Sequence, residues 1–279
     1  MLTLIKRLIF YIRTKGLIGA IEYLKLYNFE KKIFKNKKLS WNNLGFWETN
    51  PKPTDEELER FYSKIYWLNN KYYKERLLIP RDIDHFLFLK EKLYKTFDNK
   101  INFLNFGAGH GGISFLFAVN NSNVFNVEPT SIFNPFKNQN NFLNFNELIE
   151  YNKKNNIFFD LIYSSHTIEH IIDPIDFFKK SFSILKKDGK MFIEVPNCRR
   201  SKKDLKHLEG GYDGKIIGSH LIYFTKDFFE NFNSNIFFFK EEEGGEKYTE
   251  VYTEDDADCI RAIIKAENIN NWLIKSNLN

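Results

Sequence analysis

The sequence predicts an α/β fold in which a mostly parallel sheet carries helices on both faces. Three observations predict it. Four short apolar runs, 101–106, 123–127, 159–164 and 190–195, are separated by stretches long enough for crossover helices, the pattern of βαβ units. A glycine-rich turn follows the first run and opens a helix-like segment at Ile113. The chain of 279 residues is 43% hydrophobic and carries 30 Phe, enough apolar surface to fill a core between such layers.

Composition excludes several classes. A charged fraction of 28% beside this much Phe, Ile and Leu rules out an intrinsically disordered chain. The net charge of +5 comes from scattered Lys rather than an Arg-rich stripe, so nucleic acid is not an expected partner. Cys198 and Cys259 lack any CxxC partner, which argues against a disulfide framework or thiolate zinc site and suits a reducing, cytoplasmic compartment. Lys6, Arg7 and Arg13 interrupt the apolar N-terminus, so no integral membrane segment is expected there. Leu4, Ile5, Leu8, Ile9 and Ile12 recur at helical spacing, a stripe expected to pack on the protein or on a second copy, as in a homodimer, with peripheral membrane contact as its other use.

Taken in order, residues 1–80 read as a helical appendage, and 81–279 as the domain that carries the chemistry. Within the appendage, Thr54-Asp55-Glu56-Glu57 has the form of a capping box, turning Leu58 and Phe61 inward. A helix is expected over 82–97. The first strand, Ile101–Phe106, ends in Gly107-Ala108-Gly109-His110-Gly111-Gly112. Glycines suit a sharp turn against a ligand, and the following helix offers unpaired N–H groups. Glu128 ends the second strand twenty-one positions after Gly107, where a carboxylate can accept both hydroxyls of a ribose. A nicotinamide dinucleotide and S-adenosylmethionine both satisfy this arrangement.

Downstream, Glu169-His170-Ile171-Ile172-Asp173-Pro174 is followed by Leu185-Lys186-Lys187-Asp188-Gly189 and by a strand ending Val195-Pro196-Asn197. With the glycine turn and Glu128, these motifs resemble the class I S-adenosylmethionine-dependent methyltransferases, in particular a bacterial group with E-H-x-x-D-P and V-P-N motifs. The likeness spans residues 82–240, with the lead-in Asn50–Thr54 and the segment His220–Thr225 extending it. It implies a Rossmann-like seven-stranded sheet with one antiparallel strand, its last hairpin drawn from 236–240 and 247–253. S-adenosyl-L-methionine is the implied cofactor. Gly107, Gly109 and Gly111 would hold its methionyl part and Glu128 its ribose. Asn105 stands where the family commonly has an acid, so ammonium binding would rely on its carbonyl oxygen and on backbone near Gly107 and Ser164. The family's adenine-contacting acid is absent, leaving Asn144, Asn146 or Glu147.

Methyl transfer to a hydroxyl needs alignment and one proton acceptor. His166, at the end of the fourth strand, and His220, in the acceptor-side segment, are the candidate catalytic residues. Glu169 and His170 are expected to be structural. His166, Glu169 and His170 share the i, i+3, i+4 spacing of a metal site, yet no further ligand is placed to complete a shell, so no metal is expected. Arg199, Arg200, Lys202 and Lys203 would border a phosphate-bearing acceptor. The function expected is O-methylation of a small-molecule acceptor, a sugar or nucleotide-linked precursor of a surface (capsule) polysaccharide. Its rivals are methylation of a quinone-like phenol or phosphorylated acid, and a non-catalytic partner subunit.

Overall fold

The computed structural model describes residues 2–34, 38–62, 78–93, 100–129, 140–198, 220–242 and 248–275. Five parallel strands form its centre: β3 (Asn102–Phe106), β4 (Asn123–Val127), β5 (Asn140–Phe142), β6 (Phe159–Ser165) and β7 (Leu185–Pro196). Three more strands, β9 (Asn235–Glu241), β10 (Tyr248–Val251) and β11 (Cys259–Lys265), complete an eight-stranded sheet ordered β10-β9-β11-β7-β6-β3-β4-β5.

The expected hairpin is present as β9 and β10, but the expected count of seven strands is exceeded. β11 inserts between that hairpin and β7, antiparallel to both neighbours. It was missed because Arg261 interrupts its apolar run, and a charge in a strand reads as an exposed position. Arg261 is instead fully buried, its guanidinium bonded to Glu194 and Asp84, each at 2.6 Å.

Alternation along the central strands divides the core into two layers. Leu104, Phe106, Ile162, Ile193 and Val195 face one side; Phe103, Leu161, Tyr163 and Phe192 face the other. Strands buried on both faces account for the near-continuous apolar runs. Phe residues tile both layers: Phe103 stacks on Phe117 at 3.7 Å, and Phe178, Phe228 and Phe232 surround Trp272.

Helices α3 (Pro80–Lys92), α4 (Gly112–Val119), α5 (Phe145–Asn155), α6 (Pro174–Ile184) and α8 (Ala266–Lys275) flank the sheet, and the short α7 (Lys226–Glu230) follows β8 (Ile222–Phe224). Two motif segments prove to be helix and loop anchors. Asp173 caps α6 by accepting from the N–H of Ile175 and Asp176 at 2.9 and 3.0 Å, with Pro174 in the first turn. Asn197 donates to the carbonyls of Glu254 and Ala257, fixing the chain before β11.

The N-terminal stretch is not wholly helical. After α1 (Leu2–Phe34), broken at Gly16 where φ is 68°, the hairpin β1 (Lys38–Asn42) and β2 (Phe46–Asn50) pairs through β2 with β8. Aromatic and β-branched side chains favour strand here: Trp47 is buried edge-on against Trp41. Helix α2 (Asp55–Phe61) starts at the expected capping box, with Thr54 Oγ1 accepting from the Glu57 N–H at 3.2 Å and Glu57 accepting from the Thr54 N–H at 3.0 Å. Leu8 packs beside Ala20 and Tyr23, but Ile5, Ile9 and Ile12 are exposed, so the predicted stripe is not covered by the described chain. Arg199, Arg200, Lys202 and Lys203 lie outside the described residues. Among the described residues no helix is long and apolar enough to cross a membrane.

Candidate active site

A cavity of about 800 Å³ opens at the carboxyl ends of β3, β4 and β6, where the ligand crevice of an open α/β sheet is expected. Its floor is the glycine turn. Gly107 and Gly109 have φ of 76° and 52°, a region that penalises any side chain. A Cβ on Gly107 would lie 2.0 Å from Thr167 Oγ1, so only glycine lets the turn approach the loop after β6. Gly107 and Ala108 donate their N–H groups to the Val127 carbonyl, tying the turn to the end of β4. Gly111, with φ of 80°, is the N-cap of α4 and does not line the cavity.

The expected cofactor residues take distinct places. Glu128 lines the cavity and accepts the Gly109 N–H at 2.8 Å, so it braces the turn. Asn105 is buried; its amide donates to Ser114 Oγ at 2.8 Å, and Ser114 donates onward to Asn126 at 2.6 Å. The Asn105 carbonyl oxygen is left buried without a hydrogen-bond partner, on a residue that lines the cavity. Ser164 is buried and does not reach the cavity, whereas its neighbour Ser165 does. The alternation of β6 explains this, because adjacent residues face opposite ways. Of the three adenine candidates only Asn144 lines the cavity, between Leu143 and Phe145, and it also caps α5 through the Glu147 N–H at 3.0 Å.

The far wall holds four ionisable side chains. His166 has φ of 49°, a left-handed conformation uncommon outside glycine and typical of functional sites when a bulky residue adopts it. Its Nε2 lies 3.2 Å from Glu194 Oε1 and its Nδ1 lies 3.5 Å from Glu169 Oε1. Burial alone would lower its pKa, but the Cys259 thiol and the carboxylates of Glu169 and Glu194 together raise it well above 6.5. The neighbours of His166 thus favour its protonated form, whereas a base needs the neutral one. His220 differs: burial, reinforced by the neighbouring His170, lowers its pKa to about 3, so its imidazole is neutral. The rings of His170 and His220 meet edge to face at 4.8 Å.

Glu169 was expected to be structural. It is 1% exposed, yet neither carboxylate oxygen makes a hydrogen bond. Burial would raise its pKa, but His170 and His166 outweigh that and hold it at about 2. The carboxylate is thus balanced in charge by His166 and His170, at 3.5 and 3.7 Å, while its hydrogen-bonding capacity stays unfilled on the cavity wall.

Behind the wall lies a network that the sequence hinted at only through a Glu inside an apolar strand. Glu194, fully buried on β7, accepts from His85 Nε2 at 2.9 Å, Arg261 Nε at 2.6 Å and Ser165 Oγ at 3.0 Å. His85 Nδ1 pairs with Tyr163 Oη at 2.6 Å. Burial would raise the Glu194 pKa, but His85 and Arg261 hold it well below the usual carboxylate range. Also unanticipated were Arg81, a cation on the cavity wall, and Asp55, Leu58, Glu59 and Tyr62, by which α2 forms one side of the opening.

A family model described as a methyltransferase domain matches residues 75–236. No curated protein matches the chain. Similar solved structures include a SAM-dependent methyltransferase from Archaeoglobus fulgidus, 17% identical, with 72% of this chain and 99% of that one covered at a TM-score of 0.46. Another is 1,6-didemethyltoxoflavin-N1-methyltransferase from Burkholderia thailandensis, bound to 1,6-didemethyltoxoflavin and S-adenosylhomocysteine, 12% identical, with 82% and 98% covered at a TM-score of 0.49. The family match runs from just before α3 to the start of β9, more than half of the 279 residues, and the chain belongs to the methyltransferase domain family.

Proposed function

We propose that the protein is an O-methyltransferase whose acceptor is a sugar or phosphate-bearing precursor of a bacterial surface polysaccharide. The observation that carries this reading is the two-ended cavity: an unbonded amide oxygen beside a glycine turn at one end, and a carboxylate with a neutral imidazole at the other.

The first end suits the donor. The Asn105 carbonyl oxygen is an unsatisfied acceptor for an ammonium group, and Arg81 offers a cation for a carboxylate. Glu128 accepts ribose hydroxyls from its place against Gly109, and Leu143, Asn144 and Phe145 flank the adenine. When bound, S-adenosylmethionine supplies a methyl group already activated by its sulfonium.

The second end suits a hydroxyl acceptor. His220 takes the departing proton, because its surroundings favour the neutral imidazole, whereas those of His166 favour the protonated one. A low proton affinity is adequate: an oxygen that has gained a methyl while keeping its proton is a far stronger acid than an imidazolium. Glu169 orients the acceptor by receiving a hydrogen bond from a hydroxyl. The preference for a sugar or phosphate-bearing compound rests on the motif resemblance and on the cationic run Arg199–Lys203 in the sequence.

Calorimetry with S-adenosylmethionine and with NAD, then a methylation assay over sugar phosphates, nucleotide sugars, phenols and amines, tests the proposal. Saturable donor binding with no NAD binding, and turnover on a sugar-bearing hydroxyl, is expected. Turnover on amines alone would overturn the acceptor assignment.

A further inference from the structure

The three residues expected to be too few for a metal site are not the ones that the fold assembles. His166, the first member of the predicted set, is drawn away to Glu194 on β7. His220, fifty positions after His170, takes its place. Glu169, His170 and His220 each present one ligand atom, and these atoms all lie within 4.8 Å of one another. All three residues line the cavity. We propose that Glu169, His170 and His220 form a binding site for a divalent transition ion of the zinc type, with its open coordination positions facing the cavity.

Two independent observations carry this. The first is the donor set. Two imidazole nitrogens and one carboxylate oxygen are a ligand combination that zinc favours, with room for a water or a substrate oxygen in the remaining position. Mg²⁺ and Ca²⁺ instead prefer shells of oxygen. Tetrahedral bonds of about 2.0–2.2 Å to an ion set ligand atoms roughly 3.4 Å apart, so a pair at the 4.8 Å limit of this cluster closes by roughly 1.4 Å on binding. The second observation is Glu169 itself. Both its oxygens are buried and unbonded, and the nearby rings of His166 and His170 stand 3.5 and 3.7 Å from it. A cation among the three side chains would satisfy that carboxylate, which no group of the described protein hydrogen-bonds.

The site does not depend on the methyl-transfer reading. On that reading, an ion occupying the His220 lone pair and a proton taken up by the same nitrogen exclude one another.

The test uses the full-length chain stripped with a chelator and titrated with Zn²⁺ in the absence of S-adenosylmethionine. One equivalent is expected to bind. Glu169→Gln and His220→Ala should each weaken binding more than about tenfold, a loss seen even when outer-shell partners of a metal are removed. In the unaltered protein, Zn²⁺ should shift the ring resonances of His170 and His220 and leave those of His110, bonded to Asp82 beside the glycine turn, in place. No saturable binding, or binding that both substitutions leave unchanged, overturns the site. The ring resonances decide the matter if either variant fails to fold. Donor binding measured separately distinguishes the two proposals: donor without zinc removes the ion site alone, zinc without donor removes the methyl-donor reading alone, and zinc together with donor keeps the ion site and removes His220 as the proton acceptor.

Discussion

The two ends of the cavity are built in opposite ways. The donor end is local: Asn105, Gly107 and Gly109 follow one another at the end of β3, and Glu128 reaches them from the neighbouring parallel strand through the Gly109 N–H. The acceptor end is assembled from distant segments, with Glu169 and His170 from the turn after β6, His220 from before β8, and α2 from the N-terminal region closing the side. Behind it, Glu194, Arg261 and His85 meet from β7, β11 and α3. A local site is fixed by backbone conformation. An assembled one is fixed by charge pairing in the core, and it should be the more sensitive to loss of a single side chain.

The largest effect should come at the assembled end. His220→Ala is expected to lower turnover by about 10²–10⁴, the usual worth of a positioned proton acceptor, while donor affinity stays within about twofold. The pH dependence sharpens this. With its pKa lowered to about 3, His220 loses its lone pair only in strong acid, so kcat should be flat from pH 8 down to pH 5. An acid limb centred near the ordinary histidine value of about 6.5 would show that the proton acceptor is not a histidine held neutral by burial, and its persistence in His220→Ala would show that another group takes the proton.

Next in size is Glu194→Ala. The change leaves buried Arg261 with Asp84 as its one remaining carboxylate and removes the acceptor of the His85 ring N–H, and loss of hydrogen bonds to a charged group costs about 1.5–3 kcal/mol, measurable by urea unfolding at pH 7. The sign of the linkage is clear. The Glu194 pKa is lower in the folded chain than in the unfolded one, so its contribution is fully present above about pH 5 and is lost as pH falls through the carboxylate range. The variant should therefore show a shallower loss of stability in acid. A change under about 1 kcal/mol would mean that the network contributes little to holding β7 and β11 together.

These two regions also differ in how much of them could be read from the sequence. The glycine turn, Glu128 and the capping box at Thr54 were legible because each depends on residues a few positions apart or on one strand-to-strand step. The charged surroundings of His166 were not, because they include Glu194 on a neighbouring strand, and a sequence shows neither partner nor burial. Which of the two adjacent serines, Ser164 or Ser165, turns its side chain to the cavity was not legible either, because strand alternation settles it and the register of β6 had to be known. Arg261 hid a strand, since a buried charge looks like a surface one until its two carboxylates are seen. The N-terminal hairpin escaped because its aromatic residues pair with β8, almost 180 positions away in the sequence.

A moderate effect is expected at the local end. Glu128→Gln keeps an acceptor oxygen but removes its charge at the Gly109 N–H and, on the proposed reading, at the two hydroxyls of the donor ribose, and charged hydrogen bonds exceed neutral ones by about 1 kcal/mol each. Donor affinity should fall roughly 10- to 100-fold, with kcat at saturating donor nearly unchanged. A fall in kcat without a fall in affinity would place Glu128 at the acceptor, and the contrast between the two ends would fail.

The smallest effect tests the seam between them. Helix α2 contributes Asp55, Leu58, Glu59 and Tyr62 to the cavity, yet it is only seven residues long and begins at the Thr54 capping box. Its C-terminal turn is held by packing, with Phe61 against Ile33 and Leu58 in the main core, so loss of the cap should fray the first turn rather than release the helix. Thr54→Ala removes one side-chain bond to the Glu57 N–H, worth about 1 kcal/mol. That corresponds to roughly a fivefold change in the population of the ordered first turn. Because Asp55 and Glu59 lie on the exposed side of the opening, the change should appear as a rise of no more than about fivefold in acceptor KM. Melting temperature and donor affinity should hardly move. A matching loss of donor affinity would show that α2 covers both ends of the cavity, and that the local site depends on the assembled one.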